Sequence, residues 1–284
     1  MTTHVGGPPR AHGRTTTPGL AGVSVIVVAV IGGLFLIVPV VALVVRSLVE
    51  GALSVALTTP AIVDALVLSL STTSISLAVV VLVGTPLAFF LARRRFPGAG
   101  LLDAAVNVPI VLPPSVAGLA LLLVFGRFGV IGQTLEAFGI SIPFTTAAVI
   151  LAQIFVAAPF YVLAARTGLA GMDREIEDAA RVDGASEGQV FRLVMMPLAW
   201  PALLAGLVMC WARAMGEFGA TIMFAGSVPG RTQTLPLAVY AEFGAGELDA
   251  SLAAAAILVI AAFGVLVAVR FLRWGRPIDT RIEV

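Results

Sequence analysis

Arg213 and Glu217 stand four residues apart in a stretch that is otherwise apolar from about 198 to 218. At helical spacing the two side chains meet on one face. A charge at the bilayer centre costs about 2.5–3.5 kcal/mol on insertion scales, so two in one span must pair or reach water. An arginine attracts an oxyanion and a glutamate repels one. The pair therefore fits a structural or gating role, facing each other or a neighbouring subunit, or an anion contact made through Arg213. Gly216 and Gly219 allow helices to cross closely beside Glu217, and Thr221 lies in the same block. A second set is Pro113, Pro114 and Ser115, with Pro109 just before them. Prolines break the helical hydrogen-bond ladder, and irregular backbone at membrane depth survives only against protein or a water-filled cavity. Two readings stay open for this set: the lining of a pathway, with the Ser115 hydroxyl beside the break, or a kink packed by its neighbours.

Other chemistry is excluded. All 17 basic residues are arginine, so the chain has neither a phosphate-loop lysine nor a Schiff-base lysine. The single cysteine, Cys210, makes no internal disulfide and reads as a small core residue. The only histidines, His4 and His12, lie in a polar tail outside every apolar stretch, so an intramembrane hydrolase or a zinc site has no ligands to work with. A net charge of +1 gives no field for nucleic acid, and no nucleic-acid partner is expected.

The elements that position these residues are membrane spans. Of 284 residues, 59% are apolar and 12% charged, with mean hydropathy +1.06. A soluble domain is about 45–50% apolar and about 25% charged. Six stretches are long enough to cross the hydrocarbon: about 20–48, 65–92, 101–125, 145–165, 198–218 and 250–271. The first is too long for a signal-peptide core and reads as a retained anchor. If the N-terminus is cytoplasmic, thirteen arginines fall inside, only Arg46, Arg127 and Arg231 fall outside, and Arg213 lies within a span. That asymmetry places both termini in the cytoplasm. The expected fold is an all-α polytopic membrane protein of about six transmembrane helices. Residues 1–18 form a disordered cytoplasmic tail, 19–273 the transmembrane domain and 274–284 a short cytoplasmic tail, with no appended regulatory domain expected. Ser69, Ser71, Thr72, Thr73, Ser74 and Ser76 make the second span rich in hydroxyls, which suits helix–helix hydrogen bonding.

The longest polar stretch is 171–197, between the fourth and fifth spans. Asp173, Glu175 and Glu177 crowd the start of a predicted helix, where the helix dipole favours acids. Ile176, Ala179 and Ala180 give that helix a flat apolar face, and Gly184 ends it where the chain needs a positive φ. Ser186 to Gln189 reads as a capping box for a second helix, which Pro197 stops before the fifth span. The loop is thus two short helices that either dock onto another protein or lie on the membrane surface. Interfacial helices favour basic faces, and this one is acidic.

These residues resemble the signature of ABC importer permeases. Asp178-Ala179-Ala180, then Gly184, then Val194-Met195-Met196-Pro197 follow its Glu-Ala-Ala, glycine and Ile-x-Leu-Pro pattern, with Asp178 in place of the glutamate, Glu177 just before it, and Val194 and Met196 for isoleucine and leucine. Two further blocks, Val108 to Ser115 and Gly216 to Gly226 continuing through Pro236, are similar to molybdate permeases. Gly84 to Arg93 looks like the early core segment of the same superfamily. The resemblance covers about 69–270 and implies a type I ABC importer permease fold.

It further implies a homodimer in the cell membrane, cytoplasmic ATPase subunits, and an extracytoplasmic molybdate-binding protein. No cofactor is bound by this chain; ATP and magnesium sit on the partner ATPase, so this chain is a transport subunit and no enzyme. Glu177, Asp178, Ala179, Ala180, Gly184 and Pro197 would couple to the ATPase. Pro113, Pro114, Ser115, Arg213, Gly216, Glu217 and Thr221 would form the pathway and gate, and no metal site is expected. Sulfate or thiosulfate permeases of the same family are the alternative, and an ion-gradient-driven secondary transporter is a further one, although no internal repeat supports it.

Overall fold

The computed structural model describes residues 20–94 and 96–274, all in helices and connecting loops. The tails at 1–18 and 275–284, with His4 and His12, lie outside the described residues. The chain divides into two units, Met1–Arg46 and Ser47–Val284. Most of α1 (Leu20–Val49) belongs to the first. Its 30 residues make a rod of about 45 Å, longer than the hydrocarbon needs.

The second unit carries the candidate sites. Its helices are α2 (Ala52–Thr58), α3 (Pro60–Arg93), α4 (Ala99–Val111), α5 (Pro114–Phe125), α6 (Gly132–Ala137), α7 (Thr146–Ala170), α8 (Arg174–Val182) and α9 (Glu187–Gln189). A π-helical turn, Val190–Met195, leads into α10 (Met196–Met215), followed by α11 (Gly219–Phe224), α12 (Leu235–Ala245) and α13 (Leu248–Trp274). α7 is the central helix, packed on α3 and α10. Small residues let these axes approach: a Cβ on Gly168 would stand 2.4 Å from that of Ala202, and one on Gly206 would stand 2.8 Å from that of Ala164. Lipid is as apolar as leucine, so close van der Waals contact of this kind is what joins the helices.

The hydroxyls of α3 add directional bonds. The Ser69 hydroxyl accepts from the Leu235 N–H at 2.7 Å and so holds the start of α12. Gln153 of α7, 1% exposed, accepts from the Ser76 hydroxyl at 3.0 Å and donates to the Thr73 hydroxyl at 3.3 Å. Thr73 in turn meets the sulfur of Met215 at 3.8 Å, and Thr85 shares a 2.7 Å bond with Tyr161. Ser71, Thr72 and Ser74 instead bond back to carbonyls of their own helix.

Two expectations are corrected, while the break expected at the prolines of 101–125 is present: α4 and α5 meet at 119°, so five helices can cross a membrane singly and six if the bent pair counts as one. Leu112 and Pro113, each followed by proline, take extended ψ values of 133° and 135°, outside the α region. The fifth span does not run unbroken to 218: α10 ends at Met215, and Glu217 lies in the break before α11. Pro197 does not stop the second loop helix. Chain from Glu187 to Met215 is continuous because the π turn moves the Met196 N–H to the Phe191 carbonyl, which accommodates a proline with no N–H of its own. The short helix α12 was not anticipated either.

Candidate functional site

The break between α4 and α5 touches the break between α10 and α11. A Cβ on Gly219 would lie 2.6 Å from the Cβ of Pro114, and one on Gly118 would lie 2.6 Å from the Ala220 carbonyl. Pro113, Pro114, Ser115 and Gly216 are exposed at this junction, while Glu217 and Thr221 are buried. Glu217 uses one carboxylate oxygen to accept the Ala220 N–H at 2.7 Å, which caps the start of α11. Its other oxygen lies 2.6 Å from a terminal nitrogen of Arg213, an ion pair off the line of a hydrogen bond. Glu217 is 1% exposed, so its charge is compensated where it is buried. The two residues expected to meet do meet, but across a helix end rather than along a helix. The Thr221 hydroxyl has no hydrogen-bond partner among the described residues.

The far end of α11 is held by a residue that the sequence did not single out. The Phe144 N–H donates to the Phe224 carbonyl at 3.3 Å, and Phe144 sits at φ 59°, where a bulky side chain is strained. Its ring lies 3.1 Å from where a Cβ on Gly226 would be, and Gly226 itself has φ 70°. A positive φ on phenylalanine has no local signature, so only the fold reveals it. The Thr232–Thr234 segment is buried, with the Thr232 hydroxyl accepting from the Val228 N–H at 2.9 Å.

The loop 171–197 forms a second centre. Asp173 caps α8 through the Glu175 N–H at 3.0 Å, Gly184 takes φ 88°, and the capping box at Ser186 and Gln189 is formed. Glu177 is the buried carboxylate of α8 and pairs with Arg93, the last residue of α3. Arg181 stands 3.5 Å from Glu177 and bonds Asp178 and Glu187 at 2.7 Å each. The Arg181 hydrogen bond, helped by the nearby Arg181 and Arg94 charges, lowers the Glu187 carboxyl below its ordinary value. The same bond, with a smaller one from Asp178, raises the Arg181 guanidinium. Asp178, aligned with the signature acid, is exposed, as are Ala179 and Gly184, while Ala180 is half-buried. Ile176 is 48% and Val182 87% exposed, so the outward face of α8 is apolar and uncovered. No cluster of metal-binding side chains occurs among the described residues.

Five or six helices long and apolar enough to cross a membrane, two helix breaks joined to each other, and a charged double-helix loop pinned to the end of α3 make up a polytopic membrane protein. The profile of binding-protein-dependent transport system inner membrane components matches residues 84–276. The chain belongs to that family. A molybdenum transport system permease protein of Mycobacterium tuberculosis is 45% identical over 239 residues, 82% of this chain and 88% of the relative. A probable sulfate transport system permease protein of Chlorella vulgaris is 39% identical over 184 residues, 64% of this chain and 69% of the relative. Among solved structures, a bacterial ABC transporter that imports the polysaccharide alginate aligns over 87% of this chain and 92% of its own, with TM-score 0.68 at 16% identity, a likeness of fold alone.

Proposed function

We propose that this chain is the membrane-spanning subunit of an ATP-driven importer that moves molybdate into the cytoplasm. The observation that carries the reading is the likeness, over most of both chains, to a permease named for molybdenum transport. Tungstate is a near-isosteric dianion, so the reading takes in both. The permease works as a homodimer with the pathway between its two copies. An extracytoplasmic binding protein delivers the oxyanion and sets most of the specificity. Both termini face the cytoplasm, a reading that the arginine distribution supports.

ATP and magnesium bind on a separate ATPase subunit, which docks on the loop 171–197. Ile176, Ala179 and Val182 form the apolar docking face, and Gly184 supplies the turn that shapes it. Asp178 and Pro197 frame the same element. The Glu177–Arg93 pair ties the loop to α3, and the α3 hydroxyls tie α3 to α7, α10 and α12. A tilt of the loop is then carried as a rigid body to the paired helix breaks. Pro113, Pro114, Ser115, Gly216 and Thr221 form the gate. Arg213 and Glu217 hold its geometry, because an arginine already neutralised by a carboxylate at 2.6 Å is a poor anion ligand.

The test is transport in proteoliposomes that hold this chain, its ATPase and the binding protein. ATP-dependent accumulation of molybdate supports the reading. Accumulation driven by an ion gradient without the ATPase would sink it.

A further inference from the structure

We infer that a pocket between the end of α3 and the loop helix α8 receives a carboxylate side chain of the ATPase subunit. The inference rests on the proposed docking of that subunit here and names what it must carry. The pocket encloses about 500 Å3 and is lined by Arg93, Arg94, Arg174 and Arg181, with three carboxylates among them. Those carboxylates are already engaged: Glu177 by Arg93 and Arg181, Asp178 and Glu187 by Arg181. The guanidinium groups of Arg94 and Arg174 make no ion pair or hydrogen bond among the described residues; that of Arg94 acts on Glu187 only through its field. The Nε of Arg93 is buried without a partner. Four guanidinium groups against three carboxylates leave one positive charge and three groups with unused donors. An incoming carboxylate balances the charge and takes up donors of Arg94 and Arg174, and bidentate recognition of that kind is what arginine does best.

The neighbouring surface says which class of partner brings it. Ile176 and Val182 are exposed on the same helix, in a loop whose eight charges between 173 and 187 keep it in water. Apolar side chains beside a charged socket match the core and rim of a protein interface. An anionic lipid headgroup would satisfy the arginines and leave Ile176 and Val182 uncovered.

The experiment measures the affinity of the permease in nanodiscs of neutral lipid for its ATPase subunit as salt is raised. Three proteins are compared: the native chain, R94Q/R174Q and V182D. Two lost charge contacts of modest strength predict a Kd roughly tenfold weaker for R94Q/R174Q. Its salt dependence should also flatten, since rim charges govern that slope. V182D should lose binding with the salt slope retained in whatever remains. Unchanged affinity and slope in R94Q/R174Q, with binding lost in V182D, would overturn the pocket and leave the docking intact. No binding by the native chain would overturn both. A loss in R94Q/R174Q seen only when the discs contain phosphatidylglycerol would assign the pocket to a lipid headgroup and overturn the inference.

Discussion

Arg93, the last residue of α3, holds the carboxylate of Glu177, the buried acid of the loop helix α8. The two are 84 residues apart in sequence, and their side chains are 10% and 8% exposed. A membrane-crossing rod and the polar loop are therefore clamped at one point. Arg93→Met leaves Glu177 buried with Arg181 at 3.5 Å as its remaining partner. Breaking a buried pair from one side costs about 2–5 kcal/mol. We expect a lower thermal midpoint and a loss of ATP-driven uptake larger than the loss of membrane-inserted protein. The R93E/E177R exchange should recover part of both; recovery of neither would show that the pair acts through something other than its charges.

Gly184 has φ 88° and open space where a Cβ would sit. A substitution there meets no neighbour, so its cost is backbone strain alone, about 1–2 kcal/mol for a non-glycine residue in the left-handed region. Gly184→Val should keep the protein folded in the membrane and, if the loop couples to the ATPase as proposed, abolish uptake, because the turn between the two loop helices changes course. Uptake at the native rate would remove the loop from the coupling account.

Gly118 differs. A methyl group added there would lie 2.6 Å from the Ala220 carbonyl and 2.7 Å from the Met223 side chain. Overpacking of this kind costs about 1–3 kcal/mol. Gly118→Ala should destabilise the protein and slow transport, whereas Gly264→Ala, with nothing within 4 Å, should leave both unchanged. Equal thermal midpoints for the two variants would contradict the close contact of the helix breaks.

Gln153 joins α7 to Ser76 and Thr73 in the interior. Interhelical hydrogen bonds in membranes are worth about 0.6 kcal/mol on average and up to about 1.7. Gln153→Leu should therefore cost about 1 kcal/mol, read as a fall in thermal midpoint in detergent. A gain in midpoint would mean that the network is not satisfied as described.

The Glu187 carboxyl is held below its ordinary value by Arg181 and, more weakly, by Arg94. A depressed acid contributes stability that is present above its unfolded value, about 4.3, and is lost as pH falls through the folded value. The Arg181–Glu187 contact should thus be intact at neutral pH and give way only below the usual glutamate range. Arg181→Gln should return Glu187 to that range. Carbon-detected titration of labelled glutamate checks it, and an unmoved midpoint would contradict the bond.

The spans, the double-helix form of the loop 171–197 and its caps were legible because they depend on local rules: length of apolar run, a glycine at a positive φ, a serine three residues before a glutamine. The pairing of Arg213 with Glu217 was legible from its spacing. What escaped depends on geometry at a distance. The 119° bend needed the two extended pre-proline residues to be followed through space. The π turn that carries the chain past Pro197 replaces one ladder with another, which no residue type announces. Asp178 matches the signature position, yet Glu177 is the buried acid, because only the fold brings Arg93 to that side of α8. Phe144 at φ 59° is likewise fixed by contacts with Phe224 and Gly226 across the unit.

The central claim is molybdate import. The most direct measurement is uptake of labelled molybdate by cells that lack this chain, with and without its restoration, in the presence of excess sulfate. Restored uptake that withstands sulfate is the predicted result. Uptake erased by modest sulfate, or restoration of sulfate uptake alone, would contradict it and move the chain to the sulfate branch of the family.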